Sequence, residues 1–240
     1  MTVLLLRLAA PLQSWGTSSR FVRRTTDRTP SKSGIIGLLA AAQGRRRTDT
    51  IEDLLHLRIG VRIEQPGRLE RDFQTARPRD GSAPLPLSYR FYLADAVFLT
   101  AIQAEQDLLE GFQQALRRPA FPLFLGRRSC PPAGRLDHGL REGDIDHALD
   151  REPWQAAQFI QRAHRAPQVT LNTVVDCPAG TPGADLVRDD PLSFDPRHRD
   201  YGWRSVRHRP VHIPNPHHQP TAAPILSDAH DPMAALGGAP

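Results

Sequence analysis

The segment Thr2-Val-Leu-Leu-Leu-Arg-Leu8 constrains this chain more than any other. A strand with one solvated face alternates apolar and polar side chains, but this run is almost continuously apolar and is bounded by Pro11, so the strand has to be covered on both faces. A sheet with a layer on each side is therefore expected. At roughly 100–200 residues per domain, the chain of 240 residues has room for that as one large domain or two small ones.

Residues from Pro30 and Ser31 through SGIIGLLAAAQ predict a helix rich in small apolar side chains, closed by Gly44. A second short helix is expected over Ile51–Leu57. The alternation Arg58-Ile-Gly-Val-Arg-Ile-Glu then reads as a strand with Ile59, Val61 and Ile63 on one face. Residues 64–86 are polar and rich in Arg, Pro and Gly, as in a projecting hairpin or mobile loop. Strand-like runs follow at Leu87–Leu93 and Ala96–Ile102, and an amphipathic helix at Glu105–Arg118 is stopped by Pro119. Residues 121–126 look like a further apolar strand, Pro153–His164 a helix and Val169–Val175 a strand. This succession is that of a ferredoxin-like α+β unit. The expected domain spans residues 1–177, with an irregular segment over 178–220 packed on it and a disordered tail over 221–240.

Charge narrows the function classes. The formal net charge is +5, and the single lysine, Lys32, leaves arginine to supply all the other cations. Residues 1–47 alone carry +8, while residues 48–192 carry −4. That asymmetry points to an anionic partner met by the first fifth of the chain. The longest uncharged apolar stretch, Gly34–Ala42, is half the ~20 residues that a bilayer demands, so no membrane span is expected. The N-terminus lacks the basic segment of a secretory signal. Cys130 and Cys177 form no CxxC pair or disulfide framework, which favours a cytoplasmic protein.

The loop from Gln13 to Lys32 holds the strongest candidate site. Arg20, Arg23, Arg24 and Arg28 lie among serines and threonines, with Trp15 and Phe21 interleaved. Guanidinium groups donate paired hydrogen bonds to phosphates and release counterions, and aromatic rings stack on unpaired bases. A solvated basic loop is the competing reading. Lys32 and Ser33 do not complete a P-loop, because Thr26 and Ser31 stand where glycines are required, although the helix start could still take a phosphate. Gly126-Arg127-Arg128-Ser129 is a second candidate turn, with a glycine that admits a ligand and three phosphate donors. Cys130 beside it reads as packing. His208 and His212 have the spacing of a helical metal pair, but Pro210 breaks that helix and no ligand set is completed, so neither metal nor cofactor is expected. His198 or Tyr201 could act as a base in metal-independent RNA cleavage only if they converged with a cation.

Four blocks carry a family resemblance: residues 6–16 (LRLAAPLQSWG), 29–42 (TPSKSGIIGLLAAA), 121–132 (FPLFLGRRSCPP) and 190–201 (DPLSFDPRHRDY). Together, in this order, they resemble the CasD family of CRISPR-associated proteins, the subunit of the type I-E Cascade complex that holds the 5′ end of the guide RNA. Ser31 departs from the family's usual Thr and keeps the hydroxyl. The resemblance implies a RAMP protein with an RRM-like domain and a projecting thumb hairpin at about 64–90. It implies a role in antiviral defence: capping the crRNA 5′ handle, touching the adjacent backbone subunit through the thumb, helping to recruit the large subunit, and meeting target DNA only through the complex. It carries over no catalytic residue. Combined with the residues themselves, it suggests an RNA site of Gln13, Trp15, Arg20, Arg23, Arg24, Arg28, Lys32, Ser33, Tyr89 or Tyr92, Arg127, Arg128 and Ser129. The alternatives are a metal-independent endoribonuclease that cuts the CRISPR repeat, as in subtype I-C relatives, and an RNA-binding domain outside CRISPR systems.

Overall fold

The computed structural model describes residues 1–17 and 23–218. Arg20, Phe21 and the tail 221–240 lie outside the described residues. In chain order the elements are β1 (Thr2–Ala9), β2 (Leu12–Gln13), β3 (Arg23–Arg24), α1 (Lys32–Ala42), β4 (Arg58–Gln65), β5 (Arg68–Gln74), β6 (Ser88–Ala94), β7 (Val97–Ala104), α2 (Gln106–Arg117), β8 (Asp137–Glu142), α3 (Ile145–Arg151), α4 (Gln158–Ala163), β9 (Gln168–Cys177), β10 (Asp185–Ser193) and β11 (Asp200–Pro214).

A seven-stranded antiparallel sheet runs β10-β11-β9-β4-β7-β1-β8. Strand β1 lies between β7 and β8 and is covered on both sides, as its apolar run demands. Leu4, Leu6 and Leu8 belong to one buried cluster with Ile35, Ile36 and Leu39 of α1 and Leu109 and Phe112 of α2. Val3 and Leu5 point the other way and join Ile145, Ala148 and Leu149 of α3. Each such side chain contributes about 1.5–3 kcal/mol by leaving water. Within this sheet β1, α1, β4, β7, α2 and β8 follow one another as β-α-β-β-α-β, with neighbouring strands in the order β4-β7-β1-β8. A second, smaller sheet is built on β6, which pairs with β5 and with the short β2 and β3.

Several expectations are corrected. The helix expected at 51–57 is a single 3-10 turn, Glu52–Leu54. Residues 121–126 form no strand, although Leu125 is buried. The helix expected at 153–164 is confined to α4, and Pro153 follows the extended residue that ends α3. The strand that completes the β-α-β-β-α-β succession is β8, whereas 169–175 belongs to β9 on the far side of β4. Over its described part, residues 178–218, the segment expected to be irregular is largely strand: β10 and β11 extend the main sheet, so a boundary at 177 falls inside one sheet.

Polar groups join these added strands to the core. Ser31 caps α1 by accepting from the Gly34 N–H at 3.2 Å. The Lys32 N–H in the same first turn donates to Asp189 Oδ2 of β10 at 2.7 Å. Asp189 also accepts from Arg204 Nε and Nη2 at 2.6 and 2.9 Å, and Arg204 pairs in addition with Asp176. Lys32 Nζ meets Asp190 Oδ1 at 2.9 Å and Asp176 Oδ2 at 3.7 Å. The Arg204 guanidinium is held charged: burial works against it, but the hydrogen bonds and charges of Asp189 and Asp176 outweigh that cost and raise its pKa further. A second buried pair, Arg62 with Glu64, lies under α3, where Arg62 donates to the carbonyls of Leu149, Glu152 and Pro153 and so satisfies acceptors around the C-terminus of that helix.

The 126–130 turn is docked just as closely. Gly126 has φ +86°, and a Cβ built there would lie 1.6 Å from the Ser14 carbonyl oxygen, so only glycine fits. The close approach that a glycine here suggested is made to the chain's own backbone and not to a ligand.

Replacing Asp189 by Ala leaves Arg204 with Asp176 alone and the Lys32 N–H without its acceptor, and should lower stability by about 1–3 kcal/mol in chemical denaturation; a loss well under about 1 kcal/mol would show that the network is dispensable. Gly126→Ala should cost roughly 1–3 kcal/mol from overpacking, with positive-φ strain added, and an unchanged denaturation midpoint would refute the close approach.

Candidate nucleic-acid interface

The smaller sheet gathers much of the basic loop. Strand β3 runs parallel to β6 with Arg23 opposite Tyr89 and Arg24 opposite Arg90. On the other side of β6, the antiparallel β5 places Leu69, Arg71 and Phe73 opposite Leu93, Phe91 and Tyr89. Because successive side chains alternate, Arg23, Arg71, Phe73, Tyr89 and Phe91 share one face. The contacts agree: the Arg23 guanidinium lies 5.2 Å from the centre of the Phe91 ring and that of Arg71 lies 5.6 Å from Tyr89. Tyr89 is 39% exposed and Phe73 64%. Rings flanked by guanidinium groups on an open sheet supply stacking planes and phosphate donors side by side.

The other candidates divide into surface and framework. Arg23, Arg24, Arg28, Arg128 and Ser129 are exposed. Among the described residues no ion pair or side-chain hydrogen bond engages the guanidinium groups of Arg24, Arg28 or Arg128. Trp15, by contrast, is 1% exposed and offers no stacking face. Its ring packs against Gly34, where an added Cβ would lie 2.8 Å from it, and its indole N–H donates to Gln13 Oε1 at 3.1 Å. Gln13 is itself fully buried and donates to the carbonyls of Leu8 and Ala96. Lys32 is buried in its carboxylate pairs, and the α1 first turn already holds the Asp189 carboxylate, so neither is open to a phosphate. The Ser33 hydroxyl lies 3.3 Å from that of Ser31. Tyr92 is 4% exposed under the Arg127 guanidinium, which leaves Tyr89 as the open ring of the two.

Arg127 occupies an intermediate position. Its Nη1 donates to the Phe91 carbonyl at 3.0 Å, its Nη2 to the Arg24 and Thr25 carbonyls at 2.8 and 3.2 Å, and its Cζ lies 4.8 Å from the centre of the Tyr92 ring. The loop is tied further along as well. The Trp15 N–H donates to Thr26 Oγ1 at 2.9 Å, and the Asp27 carboxylate accepts from the Thr17 N–H at 3.0 Å. Burial pushes the Asp27 carboxyl above its ordinary pKa, partly offset by that N–H. Burial likewise pushes up the Cys130 thiol, in keeping with a packing role.

Arg71, Phe73 and Phe91 are not evident as site residues in the sequence. The signal for them is the alternation of Leu69, Arg71 and Phe73 against Tyr89, Phe91 and Leu93, which becomes visible only once 68–74 is taken as a strand. Among the described residues no His, Cys, Asp or Glu cluster could hold a metal. His208 and His212 stand on strand β11, where they meet Asp185 and Thr170.

With this geometry in place, the chain can be set beside known proteins. It matches the family model described as CRISPR-associated protein (Cas_Cas5) over residues 3–207. It is 31% identical over 148 residues to the CRISPR system Cascade subunit CasD of Escherichia coli (strain K12), a match covering 53% of this chain and 66% of that relative, just under two thirds of its length. A solved chain titled "CRISPR RNA-guided surveillance complex" is 33% identical and superposes with a TM-score of 0.74 over 88% of this chain and 91% of that one. Another, "Crystal structure of Cas protein", is 35% identical with a TM-score of 0.68, covering 91% and 98%. A family match spanning most of the chain and two like folds at similar identity lead to one conclusion: this chain belongs to the Cas5 family of CRISPR-associated proteins.

Proposed function

We propose that the chain is a non-catalytic RNA-binding subunit of a type I-E CRISPR Cascade complex, in which it caps the 5′ handle of the crRNA. The observation that carries this reading is the open face where Arg23 and Arg71 flank Phe91, Tyr89 and Phe73. Splayed bases of a single-stranded end stack on exposed rings, while guanidinium groups meet the phosphates between them. Arg24, Arg28 and Arg128 extend the donor set along the same loop and turn.

The β-α-β-β-α-β succession, with its strand order β4-β7-β1-β8, supports reading the core as a ferredoxin-like domain. The β5–β6 hairpin then takes the place of the thumb. Exposed Leu85 and Leu87 beside it suit contact with an adjacent backbone subunit, since apolar side chains in the open commonly mark a protein interface. Contact with the large subunit, and through it with target DNA in antiviral defence, completes the reading, together with a cytoplasmic location. The non-catalytic assignment rests on the type I-E resemblance, in which no residue is carried over as a catalyst.

Two measurements test this. Arg23→Ala/Arg24→Ala/Arg28→Ala should weaken binding to labelled single-stranded RNA with the handle sequence of the host CRISPR repeat, and should reduce the slope of log affinity against log salt by about 0.7 for each phosphate that is no longer neutralised; unchanged affinity and slope would remove the RNA interface from this loop. Incubated in chelator with a labelled repeat hairpin, the purified protein should leave it intact. A single cut ending in a cyclic phosphate would instead establish the endoribonuclease reading.

A further inference from the structure

We infer that Arg127 is a positioning residue for RNA, which presents the arginines of β3 without itself meeting a phosphate. The inference rests on the RNA reading above and adds to it a division of labour among arginines. Strand β3 is two residues long and, among the described residues, pairs only with β6, so its own ladder supplies few hydrogen bonds against the entropy of ordering a loop. Trp15 and Thr17 tie the loop beyond it through Thr26 and Asp27, and at β3 itself Arg127 adds three further bonds. One guanidinium reaches the carbonyls of Arg24 and Thr25 on the β3 side and of Phe91 on β6, at 2.8, 3.2 and 3.0 Å. Its guanidinium carbon lies 4.8 Å from the centre of the Tyr92 ring, which is buried on the side of β6 opposite Tyr89 and Phe91. The turn that carries it is anchored by the Gly126 approach to Ser14 and by the Ser14 N–H, which donates to the Leu125 carbonyl at 3.2 Å.

The charge of Arg127 is therefore aimed at backbone carbonyls beneath the sheet, while Arg23 projects from the opposite face over Phe91. Only a planar fork makes these contacts together. A lysine in its place keeps the charge, but its single ammonium nitrogen cannot reach the carbonyls that two separate guanidinium nitrogens serve here while also lying over the Tyr92 ring.

A double-mutant cycle separates positioning from direct contact. The affinity of wild type, Arg127→Lys, Arg23→Ala/Arg24→Ala and the combined variant is measured with the same labelled handle RNA. Arg127→Lys should weaken binding about tenfold despite its retained charge, and should add less than about twofold once Arg23 and Arg24 are gone. Wild-type affinity in Arg127→Lys, or an undiminished effect in the combined variant, would overturn the inference, since a phosphate ligand behaves in one of those two ways. If Arg23→Ala/Arg24→Ala alone leaves affinity unchanged, it is the RNA reading of β3 that fails. Hydrogen exchange of the RNA-free proteins tests the tether apart from RNA. Arg127→Lys should speed exchange of the amides of residues 23–28 while those of β1 and β7 stay protected; loss of protection throughout, or none at 23–28, would overturn the tethering role.

Discussion

The arrangement depends on a carboxylate at the start of α1. The first turn of a helix carries backbone N–H groups without intrahelical partners and the positive end of the dipole, which make it a natural seat for a phosphate. Here the seat is filled from within by Asp189, which β10 delivers to the Lys32 N–H. Arg204, Asp176, Asp190 and the Lys32 ammonium close the network around it. With three carboxylates against two cations, mostly shielded from water, the cluster is stable only as a set: each member offsets the desolvation of the others. It therefore fixes how the C-terminal strands meet the helix that covers β1.

That anchoring bears on the interface because the same helix backs the basic loop. Gly34, in the first turn of α1, lets the Trp15 ring lie against it, and Trp15 in turn bonds the two ends of the loop through Thr26 and Asp27. The base of the hairpin is held from the other side. Gln13 donates to the Ala96 carbonyl, Gln65 to the Asp95 carbonyl, and the Asp95 N–H to the Pro11 carbonyl. Rigid attachments at the root of β5, β6 and β3 leave their outer ends to solvent. A sheet held in this way presents rings and guanidinium groups already oriented, so under the proposed RNA reading less entropy is lost when a flexible strand end binds.

The sequence disclosed what is written in local pattern and hid what depends on distant partners. The doubly apolar β1, the small-residue helix α1 and the amphipathic α2 were all legible, because their periodicity records which faces are covered. Strand β8 was not. Asp-His-Gly-Leu-Arg-Glu has one large apolar side chain, and it becomes a strand because the edge of β1 needs a partner. Helix α3, at seven residues, is too short for periodicity to declare itself, although Asp144 caps it by accepting from the His147 N–H. Strands β10 and β11 were masked by Pro191 and Pro210. Beyond Val206 the register gives β11 no partner in β10, so Pro210 lies in a stretch paired on one side, where a missing N–H is tolerated. The site was misread for a related reason. Burial cannot be read from residue type, so Trp15, Gln13 and Lys32 looked like binding residues while they were framework.

This changes what the basic composition means. The excess of +8 in residues 1–47 counts every cation alike, but the fold consumes several of them. Lys32 is neutralised by aspartates, Arg45 is paired in two places with Asp53, and Arg7 donates to the Gln155 carbonyl. What remains toward solvent in the described part of that segment includes Arg23, Arg24 and Arg28, and the two strands of the hairpin add Arg71 beside the rings. The electrostatic footprint of the protein is thus smaller than its charge and lies elsewhere than the charge density alone suggests. It is set by which guanidinium groups the backbone leaves without an internal acceptor. Arg127 marks that border: it has the same chemical type as its neighbours and belongs to the same loop system, yet its donors are turned inward by three carbonyls.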